Sequence, residues 1–165
     1  MSHGSKRGIH GTDDEAITLD EIINTFKGDN CKELIGKPKI FLFQSCRGNA
    51  NDAGQLLPRG GDEVVRDSDS KIRFTVPTDS DILMVCSSGE GMVSKREYSN
   101  LGGKKKVESW FIHALGEVLE HYAWNEDLLK MLTRVNRMVA RTGDENTGMQ
   151  MPCQFSTLTR TVFLT

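Results

Sequence analysis

Hydrophobic and polar positions divide the chain into three regimes. In the first, Leu19, Ile22, Ile23 and Phe26 recur at helical spacing, with Thr18 or Asp20 standing where a cap belongs. A short helix is expected there, broken by Gly28 and Asp29. Residues 30–35 read as one or two further helical turns, closed by Gly36 and Pro38. Ile40, Phe41, Leu42 and Phe43 then form an unbroken apolar run. A continuous run, as opposed to an alternating one, predicts a strand covered on both faces, as in a parallel sheet. The second regime, residues 48–73, is rich in Gly, Asp, Asn, Ser and Arg and has no period, which predicts a long exposed loop. In the third, Ile82, Leu83, Met84 and Val85 predict a second buried strand. Residues 87–106, ending in Lys104, Lys105 and Lys106, read as a solvated loop. Phe111, Ala114, Leu115, Val118, Leu119 and Tyr122 share one face of a helix over residues 107–123. Asn125 is a candidate cap for another, with Leu128, Leu129, Leu132, Val135 and Val139 inward. Residues 155–158 and 161–164 are β-branched and aromatic and predict a terminal strand or hairpin. The whole pattern is α/β.

Composition narrows the function classes. The 165 residues carry a formal net charge of −2, so no global basic field favours nucleic acid. No apolar run reaches the length of a membrane span, and the polar start shows no signal peptide. Four cysteines, Cys31, Cys46, Cys86 and Cys153, lie far apart with no Cys-x-x-Cys pair. That spacing argues against a zinc site and against a disulfide scaffold, so no metal or cofactor is expected and a cytoplasmic setting is the simplest reading.

The sharpest local feature is Gln44-Ser45-Cys46-Arg47-Gly48, directly after the first predicted strand. Functional groups in α/β sheets gather at the carboxyl ends of strands. A cysteine there, followed by Arg and Gly, fits a nucleophile, although an isolated cysteine at a strand end is more often a packing residue. The pentapeptide resembles the Gln-Ala-Cys-Arg-Gly signature of caspases, with Ser45 in place of alanine. Ser2-His3-Gly4 resembles that family's histidine motif, and His3 stands 43 positions before Cys46. The likeness continues through Leu19-Asp20-Glu21-Ile22, residues 26–31, Gly36-Lys37-Pro38-Lys39, Asp81-Ile82-Leu83, Ser94-Lys95-Arg96, Ser109-Trp110-Phe111-Ile112, residues 132–136 and Met151-Pro152-Cys153.

The resemblance implies a caspase-like sandwich, a mostly parallel sheet between helices. Residues 1–49 would be the remainder of a large subunit, 50–73 an intersubunit linker and 74–165 a small subunit. It implies a cysteine endopeptidase that cuts protein substrates after aspartate in apoptosis or a related death or immune pathway. It also implies a homodimer or a dimer with another caspase. Cys46 would attack as a thiolate, and His3 would protonate the leaving amine. The N–H groups of Gly4 and Cys46 would bind the oxyanion, one such donor being worth about 3 kcal/mol of barrier. Gln44, Ser94 and Arg96 would hold substrate. Arginine's planar fork suits the aspartate carboxylate, and the backbone near Ser94 would pair with the peptide. Trp110 would wall a distal subsite, or simply be core at a helix start. Asp67 and Asp69, with Asp62 behind them, are candidates for activation cleavage, or merely acidic loop residues.

Two departures change the picture. Lys95 stands where the family usually carries an aromatic residue, so the adjoining subsite should be more polar and open. The family's N-terminal strands, with the second arginine of its aspartate pocket, have no counterpart before His3. The expectation is therefore a fragment, or a start at an internal methionine. That leaves a competing reading, a non-catalytic decoy or regulator that pairs with a full-length caspase. A phosphate loop at Gly28…Gly36-Lys37 is rejected, because Pro38 replaces the needed Ser or Thr. Related families that cut after basic residues are disfavoured by Arg96 in its Ser-x-Arg setting.

Overall fold

The computed structural model describes residues 4, 5, 7–48, 77–101, 104–143 and 147–164. His3 and the linker aspartates Asp62, Asp67 and Asp69 lie outside the described residues. In chain order the elements are β1 (Gly4–Ser5), β2 (Gly8–His10), β3 (Ala16–Ile17), α1 (Leu19–Thr25), a 3-10 turn (Lys32–Leu34) and β4 (Lys39–Phe43). Later in the chain come β5 (Ile82–Cys86), β6 (Arg96–Leu101), β7 (Lys104–Ser109), α2 (Trp110–Tyr122), α3 (Leu128–Ala140) and β8 (Cys153–Ser156). Among the described residues no helix is long and apolar enough to cross a membrane.

The central sheet has the order β4–β5–β8. β4 and β5 run parallel with Phe43 opposite Cys86, and β8 is antiparallel to β5 with Cys153 opposite Cys86. The α/β reading holds, with one parallel and one antiparallel pairing among these strands. The alternation of side chains splits the sheet into two faces. Leu83 and Val85 join a core of Phe111, Ala114, Val118, Met131, Leu132 and Val135 from α2 and α3. Ile82, Phe43 and Cys86 face the other way and pack with Ile23 of α1, with Phe41 beside them. The Phe41 and Phe43 rings stack at 6.1 Å and 7°.

The helices start where side chains satisfy their first N–H groups. Thr18, not Asp20, caps α1: its Oγ1 accepts the Glu21 N–H at 3.1 Å, and Glu21 Oε2 accepts the Thr18 N–H at 2.8 Å. Ser109 caps α2 and Asp127 caps α3, the latter through Oδ1 and the Lys130 N–H at 3.1 Å. Asn125 is part of the turn leaving α2, with its N–H donating to Tyr122 O. Glu126 ties that turn to α3 by accepting Arg134 Nε and Nη2 at 2.7 and 2.6 Å, while the guanidinium lies 4.2 Å over the Tyr122 ring.

Besides the cap of α3, four expectations are corrected. The stretch read as a solvated loop contains an antiparallel ladder, β6 against β7, running from Arg96 opposite Ser109 to Leu101 opposite Lys104. A lysine run can lie on a strand because strand pairing uses backbone groups. The helix expected from Val107 therefore begins three residues later, at its serine cap. Residues 161–164 join no strand; Val162 O accepts the Leu128 N–H at 2.8 Å, so the tail satisfies the first turn of α3. Lastly, β4 is covered on one face only. Ile40 and Leu42 are 39% and 49% exposed, because β4 is the sheet's edge among the described residues and α2 and α3 lie over β5.

Candidate active site

The site forms where β4 and β5 end side by side. The Ser87 N–H donates to Phe43 O at 2.9 Å and its hydroxyl donates to Ser45 O at 3.2 Å, so the chain leaving β5 fixes the chain leaving β4. Ser45 and Ser87 are both buried. The next residue, Cys46, emerges partly exposed into a cavity of about 290 Å3 lined also by Ser5, Arg7, Thr18, Asp20 and Glu90. The expected substitution of serine for alanine at position 45 is accommodated in this turn.

Gly4 lies against the same loop. A Cβ there would collide with the Cys46 carbonyl oxygen and approach Ser45 Cβ to 2.6 Å, so only glycine allows β1 to come this close to the nucleophile loop. A second close approach joins Gly48 to Gly91, where a Cβ would meet the Gly91 backbone. Around it, the Arg47 N–H donates to Met92 O and the Gly91 N–H donates to Arg47 O, both at 3.0 Å. Cys46 is thus held between two pieces of backbone pinned to the loop after β5.

Ser94 meets Cys46 directly. The Ser94 N–H donates to Cys46 Sγ at 3.4 Å, and the thiol faces Ser94 O at 3.9 Å. Gln44 spans the same gap: its Nε2 donates to Ser94 Oγ at 2.8 Å, and its Oε1 accepts the Ser109 hydroxyl at 2.6 Å. The Lys95 N–H is taken by Gln150 Oε1 at 2.5 Å, and the buried Gln150 donates through Nε2 to Ser87 O at 2.7 Å.

The structure thus brings Cys46, Gly4, Gln44 and Ser94 together. Arg96 opens β6 opposite Ser109, one pairing from the Gln44 network, and its residue is exposed. Trp110 starts α2 and packs against the main core, its indole N–H buried with no acceptor among the described residues. It also lines a groove of about 430 Å3 with His113, Glu117, Met138 and Arg141. Sequence reasoning passed over Ser109 and Gln150. Ser109 carries a signal, a serine just before an apolar helix face; Gln150 carries none, since its role depends on the β8 segment returning beside β5.

Behind Cys46, Arg47 Nη1 donates to Cys153 Sγ at 3.7 Å. The Cys153 thiol is brought down to about 6, first by a hydrogen bond from Cys86 and then by the Arg47 charge, against its partial burial. Cys86 is pushed well up, because it donates that bond and is buried.

The arrangement is a thiol at a strand end, opposed by the Ser94 backbone. Comparison with known proteins agrees with it. The family model of the caspase domain, Peptidase_C14, matches residues 1–163. Caspase-7 of Gallus gallus is 32% identical over 170 residues, covering 99% of this chain and 52% of the relative. Caspase-3 of Bos taurus is 34% identical over 170 residues, covering 99% of this chain and 57% of that protein. The crystal structure of caspase-1 from Spodoptera frugiperda superposes with a TM-score of 0.76 at 28% identity, over 98% of this chain and 59% of that one. The chain spans between half and three-fifths of the length of these relatives. With the family's domain matched over residues 1–163 and relatives at 32–34% identity covering 99% of the chain, the chain belongs to the caspase domain family.

Proposed function

We propose that the chain carries the nucleophile of a cysteine endopeptidase that cleaves protein substrates after aspartate, in a cytoplasmic death or immune pathway. The observation that supports this most is the contact between Cys46 Sγ and the Ser94 backbone, with Gly4 packed against the Cys46 carbonyl. A peptide lying along Ser94 would bring its scissile carbonyl to the thiol. The Cys46 thiolate attacks that carbon, His3 supplies the proton to the departing amine, and the N–H groups at Gly4 and Cys46 receive the oxyanion. Water then cleaves the thioester. Processing after Asp67 or Asp69 and pairing of two such chains, or of one with another caspase, belong to the same proposal.

The test is hydrolysis of fluorogenic tetrapeptides ending in aspartate, alanine or arginine by the full-length protein. Aspartate-selective turnover, lost in Cys46→Ala, is the expected result. Turnover that survives Cys46→Ala, or a preference for arginine, would overturn it.

A second reading, a decoy that modulates a catalytic caspase by pairing with it, draws support from the exposure of Arg96 and from Lys95 at the aromatic position. It predicts no peptide turnover, together with a dose-dependent change in the rate of an added active caspase.

A further inference from the structure

Cys86 and Cys153 stand directly opposite each other on the antiparallel strands β5 and β8, and Cys153 packs against Cys86 in the α1-side core. Directly opposed residues on such strands have Cα atoms about 4.5–5.5 Å apart, inside the span of about 4.4–6.8 Å that a disulfide bridges without moving backbone. The two thiols are unequal. Cys86 is 1% exposed, whereas Cys153 is partly exposed and receives Arg47 Nη1 at 3.7 Å. Cys153 Sγ also lies 3.6 Å from Ser88 O. The pair therefore has the parts of a two-thiol redox site: an accessible sulfur beside a fixed cation and a buried resolving sulfur held next to it.

We infer that Cys86 and Cys153 form a reversible cross-strand disulfide when the protein meets hydrogen peroxide, with Cys153 reacting first. The Cys153 thiolate attacks one peroxide oxygen, the O–O bond breaks, and the departing hydroxide takes a proton to become water. Cys153 is then a sulfenic acid. The Cys86 sulfur attacks the Cys153 sulfur, the S–O bond breaks, and the leaving hydroxide takes the Cys86 proton as a second water. Two thiols lose two electrons in total and one peroxide gains them. A lowered Cys153 pKa supports the order, since the thiolate is the nucleophile.

This differs from a role for Cys46. Arg47 sends its backbone to the nucleophile loop and its side chain to Cys153, so the pair sits behind the site and outside its cavity lining. It is also independent of the peptidase reading and stands whether or not Cys46 turns over peptides.

The experiment treats the full-length protein with hydrogen peroxide, blocks remaining thiols with iodoacetamide, and maps peptides by mass spectrometry without reduction. A parallel sample carries Cys46→Ser so that the candidate nucleophile cannot compete. The expected result, in both samples, is one linked species joining the Cys86 and Cys153 peptides, lighter by two hydrogens than their sum and abolished by dithiothreitol. Arg47→Ala should slow its formation by about two- to threefold near neutral pH, as the thiolate fraction of Cys153 falls. Both cysteines recovered fully alkylated would overturn the inference. So would Cys153 linked to Cys31 or Cys46 instead, or Cys153 carried to sulfinic acid with Cys86 still free. The unsubstituted protein decides these outcomes, so misfolding of a variant does not blur them.

Discussion

Asp81 offers a quantitative test of how the central sheet is fastened, because its carboxylate and its backbone can be perturbed separately. It is 3% exposed and sits just before β5 with φ 59°, a left-handed conformation. Its Oδ1 accepts the Thr159 N–H at 3.0 Å and the Thr159 hydroxyl at 2.6 Å. Its own N–H donates to Thr157 O at 2.9 Å, and its carbonyl accepts the Lys39 N–H at 2.7 Å. One residue thus joins the start of β4, the start of β5 and the chain leaving β8. The Thr159 hydroxyl, then its N–H, hold the carboxyl below its usual range.

Asparagine tolerates left-handed backbone, so Asp81→Asn removes the charge and little else. Two charge-assisted bonds become neutral ones, a loss of about 1–2 kcal/mol. Asp81→Ala removes both acceptors and places an unsuited residue at φ > 0, adding about 1–2 kcal/mol of backbone cost, so about 3–5 kcal/mol in all. At about 2–4 °C per kcal/mol for a chain of this size, Tm should fall by roughly 4 °C for Asn and roughly 12 °C for Ala. The pH dependence has a definite sign. A carboxyl with a lowered folded pKa contributes stability that is complete above the unfolded value of about 3.9 and is lost as pH falls through the folded value. The gap between wild type and Asp81→Asn should therefore be full at pH 7 and close as the pH drops below about 4. Thermal melts followed by far-ultraviolet circular dichroism read both quantities. A gap that persists unchanged into acid would refute the charge argument. An alanine variant no worse than asparagine would refute the backbone argument.

Gln44→Glu keeps the acceptor for the Ser109 hydroxyl, removes the donor to Ser94 Oγ and sets a negative charge where an aspartate side chain is proposed to dock, so kcat/KM on aspartyl peptides should fall at least ~100-fold with the fold intact. A fall of under threefold in the peptide assay would remove Gln44 from the substrate pocket. In urea titrations, Phe43→Ala should cost about 3–5 kcal/mol, because Phe43 is 8% exposed in the α1-side core, while Leu42→Ala, next to it and 49% exposed, should cost under about 1 kcal/mol. Equal costs would mean that the other face of β4 is not open in solution. Alkylation of Cys153 by iodoacetamide should rise with a midpoint near pH 6, and a midpoint near that of an ordinary cysteine, about 8.5, would contradict the Cys86 and Arg47 contacts.

How far the sequence was legible depended on whether a signal was local. Phe111, Ala114, Leu115 and Val118 lie on one helical stripe and are buried together, because a helix places i, i+3, i+4 and i+7 on the same side whatever it packs against. The Cys46 pentapeptide was equally readable, since its turn follows an apolar strand and its residues are consecutive. Coverage of β4 was not readable. Ile40 and Leu42 are as apolar as Phe41 and Phe43, and only the sheet order and the position of α2 and α3 decide which pair is bare. The ladder of β6 on β7 was missed for a related reason: a mostly polar stretch from Arg96 and three consecutive lysines from Lys104 show neither alternation nor an apolar run, while backbone pairing needs neither. Asn125 is a cap candidate by residue type alone, but the helix starts two residues later at Asp127, where the Val162 carbonyl of the tail meets the first helical N–H at Leu128.

The same distinction governs the site. Gln44 and Cys46 lie two residues apart, yet what makes them a site is 50 positions away at Ser94 and 65 away at Ser109. Those long-range contacts are set by two parallel strands ending at one level, with Ser87 bonded to both Phe43 and Ser45. Gln150 extends the chain of dependence. It holds the Lys95 N–H and the Ser87 carbonyl at once, so β8 and its approach position the segment that opposes the thiol without touching it. Loss of Gln150 would free a backbone N–H beside Ser94 and leave the Ser87 carbonyl unpaired in a buried place, loosening Ser94 against Cys46 from both sides. A residue with no recognisable motif of its own therefore stands in the same mechanical circuit as the nucleophile, and the geometry of the Cys46 to Ser94 contact depends on it as much as on the signature around Cys46.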